Sequence, residues 1–253
     1  MTILNNKKIV LKTENITKSF DGVLTLKDIS IILYEGELVS ILGKSGGGKS
    51  TLFNIISGLL EPDEGRVLLG GKDITTETGH MSYMLQKDLL LPHLKVLDNV
   101  AIPLIINGMN KKAARLEAST HFEEFGLQGT EHQYPAQLSG GMKQRAALLR
   151  TYLFSKEVCL LDEPFSALDT ITKASIHSWY LDIMKKIKLS TLFITHDIDE
   201  AIKLSDRIYI LGANPGHIAR EFIIDSQEKK NLDFTLSSKF LEYKRAITEA
   251  IES

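Results

Sequence analysis

Apolar and polar positions along this chain repeat in two rhythms, the two-residue period of a strand and the longer period of a helix. Ile9 to Leu33 alternates imperfectly around the turn signal Asp21-Gly22, which predicts antiparallel strands. Leu38, Val39, Ile41 and Leu42 form a short apolar run that fits a buried parallel strand. The chain then turns glycine-rich from Gly43 to Gly48, and Lys49, Ser50 and Thr51 open a helix. Leu52, Ile55, Ile56 and Leu59 fall on one stripe of that helix, and Gly58 stands where the stripe fades. Glu61 to Gly65 reads as a turn, Arg66 to Leu69 as a short strand ended by Gly70-Gly71, and Tyr83 to Leu85 as another leading to Gln86.

From Lys87 to about Tyr152 the pattern becomes helical. Asp98 to Gly108, Lys111 to Phe125 and Met142 to Tyr152 carry apolar residues at helical spacing, with breaks expected at Pro103 and Gly126. Val158 to Leu161 and Thr191 to Thr195 then read as buried strands joined by a helix around Ile171 to Ile187, a βαβ unit with a parallel pair. Arg207 to Leu211 and Ile218 to Ile224 are further strands. The tail from Asp225 is polar apart from a last helix, Ser238 to Ile251. The pattern predicts an α/β fold in which antiparallel strands precede a sheet interrupted by a helical insertion. The expected divisions are a core of about 1–86 and 153–225, a helical part of about 87–152 and a tail at 226–253.

A chain of 253 residues is long enough for one large domain or two small ones sharing a core, and its 43% hydrophobic and 25% charged content is ordinary for a globular protein. The formal net charge of -2 supplies no positive field for nucleic acid or an anionic membrane, so neither is an expected partner. Cys159 is the single cysteine and lies in an apolar run, which predicts a buried core residue and excludes a disulfide framework. The histidines are scattered without metal-ligand spacing, and Trp179 reads as core packing. The first residues lack the apolar stretch of a signal peptide, and no run approaches roughly 18 apolar residues, so a cytoplasmic location is expected.

The chemistry concentrates at strand ends. Gly43, Gly48, Lys49 and Ser50 match the spacing G-x-x-x-x-G-K-[ST] of a phosphate-binding loop, between a strand and a helix. Glycines let successive backbone N–H groups aim inward at an anion, Lys49 supplies a point charge, and the Ser50 hydroxyl can ligate Mg²⁺. A chance glycine loop before a helix is the plain alternative, weakened by the strand before and the amphipathic helix after. Asp162 and Glu163 end the apolar run from Val158, where ligands of open α/β sheets bind. Asp162 there suits Mg²⁺, and Glu163 suits an attacking water. Leu138-Ser139-Gly140-Gly141-Met142 is a second glycine pair before a helix, which by itself is a serine-capped helix start.

LSGGM followed by Lys143-Gln144-Arg145 resembles the signature motif of ABC-transporter ATPases, and the family's other marks stand in order. Phe20 resembles the aromatic that stacks on adenine, Gln86 the loop glutamine beside the transmembrane partner, Ser166 to Asp169 the loop across the dimer interface, and His196 the switch histidine. The resemblance spans about Ile9 to Ile224. It implies a P-loop ATPase core with a mixed sheet, an antiparallel N-terminal β-subdomain and an inserted helical subdomain. It implies that ATP and Mg²⁺ are bound, with Gly43, Lys44, Ser45, Gly46, Gly47, Gly48, Lys49, Ser50 and Thr51 forming the phosphate loop. Ser139, Gly140, Gly141 and Met142 would bind the γ-phosphate held by a second copy, in a head-to-tail homodimer with Asp169 at its interface. Ser50, Gln86 and Asp162 would serve the metal; Glu163, Gln86 and His196 would be catalytic.

Such subunits work peripherally on the cytoplasmic side of the membrane with separate permease subunits and, indirectly, an extracytoplasmic solute-binding protein. Lys44 and Gly47 stand where many importer subunits carry Pro and Cys or Ser, and Met142 replaces the usual Gln. Met142 and the Asn214-Pro215-Gly216-His217-Ile218 stretch resemble the group importing nitrate, sulfonates, taurine and thiamine-precursor-like compounds. Leu89-Leu90-Leu91-Pro92, directly after Gln86, lies where that family docks a permease helix. Two rivals remain at this stage: a soluble phosphate-loop kinase, which needs no LSGGM, and a non-transport ABC protein.

Overall fold

The computed structural model describes residues 7–154, 157–166, 177–184, 189–225, 227–230 and 233–252. They form two compact units, 1–80 with 188–253, and 81–187.

In the first unit the long strand β1 (Ile9–Phe20) organises an antiparallel sheet. It pairs with β2 (Val23–Ile29), β3 (Ile32–Tyr34) and β5 (Glu64–Leu69), and β5 pairs with β6 (Lys72–Asp73). Asp21 and Gly22, with φ of 48° and 78°, make the two-residue turn of the β1–β2 hairpin, whose backbone twist matches that of the strands it joins. The second sheet of this unit centres on β4 (Leu38–Gly43), every residue of which is buried. It pairs in parallel with β9 (Ser190–Thr195) on one side and β10 (Arg207–Gly212) on the other, and β10 pairs antiparallel with β11 (His217–Ile223). Burial on both faces explains its unbroken apolar run. The mixed sheet and the antiparallel N-terminal sheet are those the resemblance implied.

The stripe expected on the first helix ends sooner than its spacing suggests. Helix α1 (Lys49–Ile56) buries Leu52, Phe53, Ile55 and Ile56, but Leu59 lies beyond it and is 64% exposed. Gly58 (φ 76°) donates to the Ile55 carbonyl and Leu59 to that of Asn54, a Schellman closure that places Leu59 outside the helix. The C-terminal tail is less separate than its polarity suggests. Phe234 and the Phe240, Ile247 and Ala250 side chains of α7 (Ser238–Glu252) join Leu42, Ile208 and Ile210 of the sheet and Ala201 and Ile202 of α6 (Ile198–Leu204) in one core. At the start of β10, the Arg207 guanidinium grips the Glu37 carboxylate at 3.1 and 2.7 Å and also reaches Glu221 at 3.0 Å. Tyr34 and Tyr209 lie against it.

The second unit pairs β7 (Ser82–Met84) with β8 (Val158–Asp162) in parallel and sets them among helices. Helix α2 (Val96–Ile106) runs through Pro103, because its packing on the next two helices outweighs the one lost backbone rung. Helix α3 (Lys111–Ser119) is capped by Asn110, which accepts from the Ala113 N–H at 2.9 Å, and stops short of the expected Phe125. There the hydroxyls of Ser119 and Thr120 bond back to the carbonyls of Leu116 and Glu117. Helix α4 (Gly140–Phe154) starts two glycines before the apolar spacing that reveals it. Residues 177–184 are also helical, which we label α5; the rest of the expected 171–187 helix falls outside the described residues. Half-buried Trp179 of α5 stacks on Arg145 and meets Phe125 edge-on.

Candidate active site

In the first unit, β4 delivers Gly43 against β10 so closely that a Cβ there would lie 2.4 Å from the Leu211 carbonyl oxygen; only glycine fits. Gly48 caps α1 in the left-handed region at φ 89°, where a side chain would also meet Leu26 at 2.6 Å. Between them the Lys49 ammonium folds back onto the carbonyls of Gly43 and Lys44, at 2.8 and 2.9 Å, and is almost wholly buried. Lys44, Ser45, Gly46 and Ser50 are exposed, Gly47 is buried, and Gly48 and Thr51 are half-buried. The first turn of α1 contains no acidic residue, so nothing in it opposes the positive end of the helix dipole. This loop can hold phosphate through its backbone.

Phe20, 44% exposed at the end of β1, presents a ring to stack on, with the Lys18 ammonium 5.7 Å from its centroid. His196 is exposed just beyond β9. The next residue, Asp197, caps α6 by accepting the Glu200 N–H at 3.1 Å, which fixes the chain where His196 leaves the strand.

The second unit carries the acidic group. Strand β8 ends at buried Asp162, and half-buried Glu163 follows with φ 45°, a left-handed conformation for a residue with a side chain. The turn is closed by Ser166, whose N–H and hydroxyl both donate to the Glu163 carbonyl, at 3.1 and 3.0 Å. Register supplies Glu163's neighbour: Met84 faces Leu161 in the parallel pair, so two residues on Gln86 arrives level with Glu163. Its amide donates to the Glu163 carboxylate at 3.0 Å.

The sequence did not point to Tyr83. Its phenol is pushed well above the ordinary range by burial and by Asp162, whose carboxylate accepts its hydroxyl. Strand periodicity carries no mark of such a pairing. Asp169, with Ala167 and Leu168, lies outside the described residues.

Ser139 is a true cap of α4: its carbonyl accepts from Lys143 at 3.0 Å and its hydroxyl from the Met142 N–H at 3.3 Å. Ser139 and Gly140 are exposed, Gly141 is buried and Met142 half-buried. The first N–H groups of such a helix have no intrahelical partner and face outward to an anion. Met142 takes part through its backbone, so losing a glutamine amide leaves this cap intact. The Ser50 hydroxyl in the first unit, and the Asp162 carboxylate and Gln86 amide oxygen in the second, are each hard oxygen donors of the kind that suits Mg²⁺. Cys159 is fully buried, as expected of a core residue.

A phosphate loop ahead of a helix, an acidic pair ending a buried strand and a second capped glycine pair define a phosphate-loop ATPase. Residues 26–166 match the family model described as ABC transporter, and the chain belongs to that family. It is 45% identical over 210 residues to the formylaminopyrimidine import ATP-binding protein ThiZ of Halalkalibacterium halodurans, covering 83% of this chain and 82% of that one. It is 36% identical to the nitrate import ATP-binding protein NrtD of a Synechocystis species, covering 91% and 89%. Among solved structures it is similar to the dimeric post-hydrolysis state of the ATP-binding cassette MJ0796 bound to ADP and Pi. That match has a TM-score of 0.73 and 30% identity, and covers 85% of this chain and 99% of that one. The chain is thus an ABC ATPase, the ATP-binding and ATP-hydrolysing subunit of a transporter. Among the described residues no helix is long and apolar enough to cross a membrane.

Proposed function

We propose that the chain is the motor subunit of an ABC importer and works as a head-to-tail homodimer on separate permease subunits at the cytoplasmic face of the membrane. The observation that carries the hydrolytic part is the Gln86–Glu163 contact at 3.0 Å, a carboxylate held by an amide at the end of a buried strand. Glu163 takes a proton from the attacking water while Gln86 orients carboxylate and water together. The 43–51 backbone binds the β- and γ-phosphates with Lys49, Phe20 stacks on adenine, and His196 donates to the γ-phosphate. Ser139, Gly140, Gly141 and Met142 of a second copy bind that phosphate from the opposite side, and Asp169 lies at the dimer interface. Ser50, Asp162 and Gln86 would hold Mg²⁺, which when bound offsets charge on the β- and γ-oxygens.

Beside Gln86, the side chains of Leu85, Leu89 and Leu91 are exposed, apolar surface suited to a permease helix. The relatives named for import of formylaminopyrimidine and of nitrate, together with Met142, favour a solute of the nitrate, sulfonate, taurine or thiamine-precursor-like group, delivered by a solute-binding protein. Glu163→Gln tests the reading. It should retain ATP binding, lose turnover by about a hundredfold or more and accumulate as an ATP-bound dimer in light scattering. Wild-type turnover by this variant would remove the general base from Glu163. Ser139→Arg should keep ATP binding and abolish that dimer.

A further inference from the structure

The loop after Gln86 is gripped by a side chain from the helix that begins at the signature glycines. Arg150 lies on α4, roughly 15 Å along the axis from Gly140 at the usual rise per residue. Its guanidinium donates to two successive backbone carbonyls, Leu89 at 2.9 Å and Asp88 at 2.6 Å. Between them the chain is strained: Leu89 has φ 45°, a conformation that costs a leucine free energy and persists only where the surroundings impose it. The Asp88 carboxylate accepts the Leu90 N–H at 2.9 Å, and fully buried Asn99 of α2 both accepts from the Leu91 N–H at 2.6 Å and donates to its carbonyl at 3.0 Å. Gln86 stands two residues before the clamped carbonyls, and its amide donates to the Glu163 carboxylate at 3.0 Å and, more distantly, to the Ser166 hydroxyl at 3.5 Å.

We propose that Arg150 is a positioning residue for ATP hydrolysis: by holding the Asp88 and Leu89 carbonyls it fixes the strained loop that places the Gln86 amide on Glu163, and it binds that loop to α4. A planar fork is suited to this, because it meets two carbonyls in one fixed geometry, whereas an ammonium on a flexible stem does not. The consequence is that displacement of α4 and displacement of Gln86 become one movement. The proposal rests on the hydrolytic reading above.

The test uses the purified full chain with Mg·ATP, comparing wild type, Arg150→Lys and Arg150→Met by steady-state kinetics, hydrogen exchange and thermal melting. Arg150→Met should lower kcat about tenfold with KM for ATP within about twofold, since misplacing a catalytic group by a fraction of an ångström acts on the barrier and leaves the phosphate loop untouched. Amides of residues 88–91 should lose protection while those of α4 keep theirs. Arg150→Lys, whose ammonium cannot meet both carbonyls in one fixed geometry, should be intermediate, with kcat about threefold down at unchanged KM and faster exchange at 88–91, and it decides the matter if Arg150→Met does not fold. Wild-type kcat and protection in both variants would overturn the proposal, as would a kcat loss with 88–91 still protected, or KM rising in step with a lower melting point. Those outcomes are separate from failure of the hydrolytic reading, which shows as normal turnover by Glu163→Gln.

Discussion

The amide of Gln86 donates to the carboxylate of Glu163 across 3.0 Å, although the two residues lie 77 positions apart in the chain. Two short parallel strands bring them level, and Arg150 holds the loop on one side. Gln86→Ala removes the amide and leaves the phosphate loop intact. We expect kcat to fall about tenfold with KM for ATP within about twofold, read from steady-state hydrolysis. A rise in KM with unchanged kcat would assign Gln86 to binding instead.

Glu163 sits in a left-handed conformation at φ 45°, which costs a residue with a Cβ about 1 kcal/mol. Glu163→Gly relieves that strain and removes the carboxylate. Its denaturant midpoint should therefore match or exceed that of wild type while turnover disappears; a clear loss of stability would mean that the side chain supports the fold as well as the chemistry.

Gly48 and Gly71 are both in the left-handed region, but only Gly48 is crowded, with a Cβ falling 2.6 Å from Leu26, against open space at Gly71. Gly48→Ala should cost about 1–3 kcal/mol in urea unfolding and abolish ATP binding, while Gly71→Ala should show only the conformational penalty and bind ATP normally. Normal nucleotide affinity in Gly48→Ala would detach the left-handed cap from phosphate binding.

Burial pushes the Cys159 thiol up to about 12, with a contact to Ser82 pulling weakly the other way. The native protein should resist alkylation at neutral pH and react only through unfolding, because thiolate and access are both lacking. Saturating ATP should slow the labelling further by stabilising the folded state. Labelling of the native chain at the rate of a free thiol, unaffected by urea, would contradict this burial.

Wherever the structure is local, the residues alone were enough to place it. The strand, glycine loop and helix from Leu38 onward, the Asp162-Glu163 strand end and the Ser139 cap are each written within a few neighbouring positions, since backbone conformation and helix-end hydrogen bonding depend on nearby residues. Periodicity located the strands of both sheets for the same reason, except β6, whose two residues are too few to show a period. It misjudged Leu59, whose position depends on a helix closure at Gly58, and could not tell that the polar tail lays Phe240 and Ile247 onto the sheet, because a stripe says that a face is covered but not by what. The bond from Tyr83 to Asp162, the grip of Arg150 on Asp88 and Leu89 and the Gln86–Glu163 contact were decided by tertiary structure alone. Each joins residues whose distance is set by strand register and helix packing, and no local pattern encodes that distance.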